Sequence, residues 1–291
     1  MTGLTPALRA LLGFLSEVWA GWKRHDCERM GAAMAFYALF SVAPVLLIAT
    51  SLVGFVVGES TAQGELELQL GQLLGPATAS TVLGLVQQAH RPRAELTAAA
   101  LGLLALVWSS TRAFAQLQVA LDDIFEVVVE GRALVGALRQ RVLAFSLVLG
   151  MGLLMGLSAV VNGVLSGLLR WSEGWVHAPA FLIYGLSDVS SFVVLALGYA
   201  AIYQLLPRHR AGLVDVLRGA AAAAALFTLG RHGIGLYLAK ADPGSAYGAS
   251  GSLVVLLLWL YYSALSVLLG AEVVVVGHQR RRAAAAKTAS E

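Results

Sequence analysis

From Met30 to Gly58 the chain reads MGAAMAFYALFSVAPVLLIATSLVGFVVG, with no charged residue. Roughly 20 apolar residues in a helix cross the hydrocarbon core of a bilayer, so this run is long enough to span it. A second run, SLVVLLLWLYYSALSVLLGAEVVVV from Ser252 to Val276, carries Glu272 as its one charge. Lipid offers no hydrogen bonds, so each backbone N–H and C=O must be satisfied within the chain, and uninterrupted runs of this length read as helices. Composition agrees. Of the 291 residues 58% are hydrophobic and 13% charged, where a soluble domain carries about a quarter charged.

Six spans are expected, near 32–57, 95–112, 142–166, 180–206, 214–238 and 251–276. The fold class is all-α: a polytopic membrane helix bundle with six transmembrane helices over residues 30–277. An amphipathic helix precedes it in residues 1–29, and a basic tail, 278–291, is expected to be disordered and cytoplasmic. No cleavable signal peptide is evident. In the N-terminal helix Leu4, Leu8, Leu11, Leu12, Leu15, Trp19 and Trp22 recur at helical spacing against Arg9, Ser16, Glu17 and Lys23. It can lie in the headgroup layer or pack on the end of the bundle. The second span turns amphipathic in RAFAQLQVALDDIF, where the helix is expected to continue beyond the membrane. Between Glu59 and Ala94, Gly75-Pro76 divides two short extracytoplasmic helices with apolar sides, which cap the bundle or rest on the membrane.

Most of the 20 Lys and Arg fall in segments on one side of this threading, including Arg24, Arg29, Arg139, Arg141, Arg208, Arg210 and Arg280 to Arg282. Basic residues mark the cytoplasmic side, so both termini are expected inside. The single cysteine, Cys27, excludes an internal disulfide. The histidines lack metal-ligand spacing, and neither a phosphate-cradling loop nor a nucleophile elbow is present. Basic residues sit in short connections that topology alone explains, which argues against nucleic acid as a partner. No metal, cofactor or catalytic residue is expected.

Pro44 removes a helix hydrogen bond in the first span, and Tyr37, Ser41 and Pro44 share one helix face. They read as a hinge or cavity lining, or as a static kink packed by neighbours. Gly152, Gly156, Gly163 and Gly167, and the run Ala220 to Ala225, point to closely approaching helices and allow a homo-oligomer. Charges at membrane depth are costly and carry a functional expectation. Asp188 and Arg231 lie at similar depth in neighbouring spans and are expected to pair. Glu272, near the inner end of the sixth span, is expected to be neutralised by Arg112.

FYALFSVAPVLLIA, VWSSTRAFAQLQVALDDIF, YQLLP, DVLRGA and YGASGSLVVLLLWLYYSALSVLLGAE together resemble the YihY/BrkB family of bacterial inner-membrane proteins, over roughly Trp19 to Glu272. The chain departs from the family pattern at Asp122-Asp123 and at Val273. The resemblance implies six transmembrane helices with both termini cytoplasmic, and an inner-membrane location. It carries an old ribonuclease BN label, now regarded as mistaken, and links to movement of lipids or small solutes. The expected function is a transporter or exporter of a lipid, amphiphile or small solute without its own ATPase, with membrane lipids as partners. The alternatives are a non-transporting envelope scaffold and, third, a membrane-bound hydrolase. Cavity or substrate-binding candidates are Tyr37, Ser41, Pro44, Trp108, Asp188, Tyr203, Arg231, Tyr247 and Glu272.

Overall fold

A computed structural model describes residues 6–57, parts of 63–84, 112–127, 180–207, 211–241 and 251–290. The described residues are helical apart from turns and short connections. In chain order they form α1 (Pro6–Arg24), α2 (Cys27–Val57), α3 (112–124), α4 (Ala180–Leu205), α5 (Leu213–Ala241) and α6 (Gly251–Ala289), with helical pieces between 63 and 84. Among the described residues, two helices are long and apolar enough to cross a membrane, Leu213–Gly233 and Leu253–Thr288. The expected span 142–166, and 95–112 up to Thr111, lie outside the described residues, as do Trp108 and Tyr247.

The longest helix, α6, is central and packs against α5, α2 and α1, while α4 packs on α5. Small residues set the α5–α6 distance. Ala220, Ala223 and Ala224 are buried, together with Ala271 and Val274 across the seam. A methyl group on Gly219 would strike the carbonyl of Gly270, and one on Gly270 would strike the Tyr203 hydroxyl. The alanine run expected to make a tight contact makes it here. Tyr203, fully buried on α4, donates its hydroxyl to the carbonyl of Val267 at 2.7 Å and so ties α4 to α6 as well. The opposite surfaces are apolar and open: Val189, Val193 and Leu197 at four-residue spacing on α4, and Leu253, Val254, Leu257 and Leu258 on α6. A helix with apolar residues on its outer face as well as its core face suits lipid as solvent.

At the other end of α6, Leu70, Ala79 and Val82 from the 63–84 pieces are buried against Leu256 and Trp259. These described pieces pack on the start of α6, and the Gly75-Pro76 division expected between them lies outside the described residues.

One side of α1 docks along the C-terminal end of α6. Arg280 donates from Nε and Nη2 to the two oxygens of Glu17 at 2.7 and 2.8 Å, and from Nη1 to the carbonyl of Ala10. The hydrogen bonds from Arg280 hold the Glu17 carboxyl below the usual carboxylate range. Val18 and Trp22 are buried on this side, while Leu8, Leu11, Leu12, Leu15 and Trp19 face outward. The helix therefore packs on the bundle end and keeps its leucine face open.

The tail differs from expectation. Residues 278–289 continue α6 as helix instead of being disordered. One cause is local and one long-range. The Ala283 to Ala286 run has the highest helix propensity, and Arg280 and Arg281 are fixed by Glu17 and Asp215. Arginines expected only to anchor topology are structural ion-pair partners.

A candidate cavity beside a buried histidine–glutamate pair

Two turns with left-handed residues organise the end of the bundle where α1 meets α6. Asp26 has φ 54°, a conformation Asp tolerates better than most residues. Its carbonyl accepts the N–H groups of Arg29 and Met30, so one residue ends α1 and opens α2. The sharp turn drives His25 inward against α6. The second turn closes α3. The Val127 N–H bonds the carbonyl of Asp122 and the Glu126 N–H that of Asp123, which is a Schellman ending with Glu126 (φ 52°) where glycine is usual. A non-glycine residue there costs about 1–2 kcal/mol. The turn sets the Glu126 carboxylate 3.4 Å from Arg24.

His25 Nδ1 stands 2.6 Å from Glu272 Oε1, with side chains 8% and 0% exposed. The Cys27 thiol points at the same oxygen from 3.7 Å. Burial first, then the charge of Glu272, push the Cys27 thiol far above the usual thiol range, so it stays protonated. On α1, Gly21 leaves room for the other carboxylate oxygen: a methyl group there would overlap Glu272 Oε2. The sequence pointed to Arg112 as the partner of Glu272, and His25 takes that place. Arg112 stands at the start of α3, whereas the Asp26 turn brings the imidazole directly onto α6.

A second acid, Asp215, is buried in the first turn of α5, where the helix dipole favours negative charge. It accepts hydrogen bonds from Arg281, including one from Nε at 3.0 Å, and faces His278 Nδ1 at 3.7 Å. Beside His278 opens a cavity of about 340 Å³, lined by Phe125, Glu126, Val127, Ala211, Val275, His278, Gln279 and Arg282. Its volume lies at the lower edge of the small-ligand range, roughly 300–1,000 Å³. Phe125, Val127, Ala211 and Val275 form an apolar wall, His278, Gln279 and Arg282 supply donors, and Glu126, paired with Arg24, adds one carboxylate. Glu272, Val275, Gln279 and Arg282 follow one another at intervals of three, four and three, one stripe of α6.

The sequence-selected residues are placed as follows. Glu272 is one turn from the cavity on that stripe, and none of the nine candidates is among its described lining residues. Tyr203 is a buried strut between α4 and α6. Ser41 is buried, and its hydroxyl bonds the carbonyl of Ala38 at 2.9 Å within α2. Tyr37 is half-buried one turn earlier, against the ring of Phe36. Helix α2 runs through Pro44, and Asp188 lies within α4, but both side chains lie outside the described residues. The expected Asp188–Arg231 pair therefore does too; Arg231 itself is half-buried on α5. Asp215, His25, His278 and Arg282 were missed. DVLRGA was legible as a motif, but its acid reads as an ordinary helix start until Arg281 is seen beside it.

The comparisons add kinship. Over 271 residues the chain is 28% identical to a UPF0761 membrane protein of Halorhodospira halophila, covering 92% of this chain and 58% of the relative. It is 32% identical over 270 residues to a UPF0761 membrane protein of Alkalilimnicola ehrlichii, covering 91% of this chain and 58% of that relative. YfkH of Bacillus subtilis, whose name describes it as ribonuclease-like, is 22% identical over 90% of this chain and 94% of its own length. The chain thus spans under two thirds of the first two relatives. No solved structure matches it. The family model described as virulence factor BrkB matches residues 18–291, and with relatives named as membrane proteins and two membrane-length apolar helices, the chain belongs to the BrkB family of membrane proteins.

Proposed function

We propose that the chain is a carrier, without an ATPase of its own, for an anionic amphiphile such as a phospholipid. The reading sets it in the bacterial inner membrane, with α1 and the end of α6 on the cytoplasmic side, where basic segments belong. The observation that carries it is the cavity: an apolar wall joined to a guanidinium, an imidazole, an amide and a Glu126 carboxylate already paired with Arg24, just past the apolar part of α6. A headgroup phosphate suits the Arg282 fork, and the start of an acyl chain suits Phe125 and Val275. No catalytic step is part of the reading, so the chain is a carrier and not an enzyme. Membrane lipid is its partner.

The test uses purified full chain in liposomes containing a fluorescent phosphatidylglycerol, with loss of signal to an impermeant quencher as the measure of movement. Wild type is expected to move the lipid several-fold faster than empty vesicles. Arg282→Ala removes a charge-assisted hydrogen bond of about 1.5–3 kcal/mol, roughly a tenfold or greater loss of affinity. Equal rates with and without the protein would defeat the proposal and favour a scaffold.

A further inference from the structure

Glu272 carries an unusual burden for a membrane helix. Its side chain is fully buried, Oε1 is held by His25 and Cys27, and Oε2 is buried with no hydrogen-bond partner. A carboxylate fixed in the charged state would be expected to use both oxygens, because burying a charge is costly unless it is fully satisfied. An imidazole and a carboxylate sharing one proton are neutral overall. A second proton leaves the pair positive, and loss of the shared one leaves it negative. The pair itself is buried, so a change in its charge is screened less than one at the surface.

The groups facing the pair give that change a route. Arg24 from α1 and Cys27 from the start of α2 act on Glu272, Asp26 in the turn and Asp123 on α3 act on Cys27 beside it, and Glu126 at the end of α3 pairs with Arg24. Cys27 stays a thiol and does not compete for the proton. Arg24, the residue before His25, pairs with Glu126 at 3.4 Å. Glu126 lines the cavity, and Val275, one turn from Glu272, lines it too.

We propose that His25 and Glu272 form a proton-binding site whose occupancy is linked to the cavity through Arg24 and Glu126, making the proton the coupling ion of the carrier. The inference rests on the carrier reading for the coupling, but not for the proton site itself. A negative pair draws Arg24 from Glu126 and leaves an uncompensated carboxylate at the cavity, which disfavours an anion there. A protonated pair returns Arg24 to Glu126 and favours the anion. Proton and anionic headgroup therefore bind together.

Two measurements separate the parts. In detergent, the thermal midpoint of the full chain is followed from about pH 6 to about pH 9. Wild type is expected to lose stability at the alkaline end, where loss of the shared proton leaves Glu272 charged and alone. Glu272→Gln has no such charge and lacks that fall. If it does not fold, the double variant His25→Gln with Glu272→Gln serves, because an amide at each position keeps a donor and an acceptor and neither side chain titrates. Superimposable profiles for wild type and the variants would overturn the site. In liposomes with fluorescent phosphatidylglycerol, an imposed pH gradient is expected to change the wild-type rate several-fold, while the ratio of rates with and without the gradient is one for Glu272→Gln. The same ratio in both proteins would overturn the coupling. A wild type that moves no lipid under any gradient defeats the carrier reading and the coupling, and the stability profile then decides the proton site alone.

Discussion

Gly270→Ala is expected to lower stability by about 2–3 kcal/mol, at the upper end of the range for an overpacked core. The added methyl group would meet the Tyr203 hydroxyl, the methyl of Ala223 and the carbonyl of Gly219. Two of these neighbours belong to α5, one of them backbone, and none is the end of a flexible side chain. Relief requires α5 and α6 to separate, and that exposes the buried Ala220, Ala223 and Val274 seam. Tyr203→Phe alone removes one hydrogen bond to Val267, worth about 1 kcal/mol. Placed on Gly270→Ala it removes one clashing atom as well, so the double variant should lose less than the sum of the two singles. Denaturant or thermal unfolding in detergent measures all three. A near-neutral Gly270→Ala would show that the α5–α6 contact is looser than described.

His25→Ala is expected to be at least as damaging, by about 3–5 kcal/mol at neutral pH, because it leaves a fully buried carboxylate without its partner. The loss should shrink as the pH is lowered, since a protonated carboxyl has no charge to desolvate. Adding Glu272→Gln to His25→Ala should recover most of the stability at neutral pH by removing the stranded charge. A ledger that counted only the lost hydrogen bond would give about 1 kcal/mol and no rescue. The size of the recovery therefore separates a buried ion pair from an ordinary polar contact.

Much of the scaffold was legible because it depends on local pattern. The apolar period over 252–276 marks α6, the change to an amphipathic pattern after Arg112 marks α3, and the leucine spacing marks α1. The alanine run of α5 announced its close contact for the same reason, as small side chains permit only that. What escaped depends on partners far away in the chain. Residues 278–289 look like a disordered basic tail by composition, and become helix because Glu17 and Asp215 hold Arg280 and Arg281. Glu272 was visible as a costly charge in an apolar run. Its partner was not, because the left-handed turn at Asp26 that delivers His25 leaves little trace in periodicity. Glu126 at a glycine position was equally hidden, and with it the turn that shapes one wall of the cavity.

A membrane-impermeant maleimide applied to Gln279→Cys tests most directly whether the cavity opens to the cytoplasmic face. Gln279 is exposed at its rim, while the native Cys27 is fully buried, so the unsubstituted chain supplies the blank. Labelling is expected in inverted membrane vesicles and not in sealed right-side-out vesicles, and it should slow when an anionic phospholipid is supplied. Labelling in the right-side-out vesicles alone would place the cavity on the wrong face of the membrane and contradict the account.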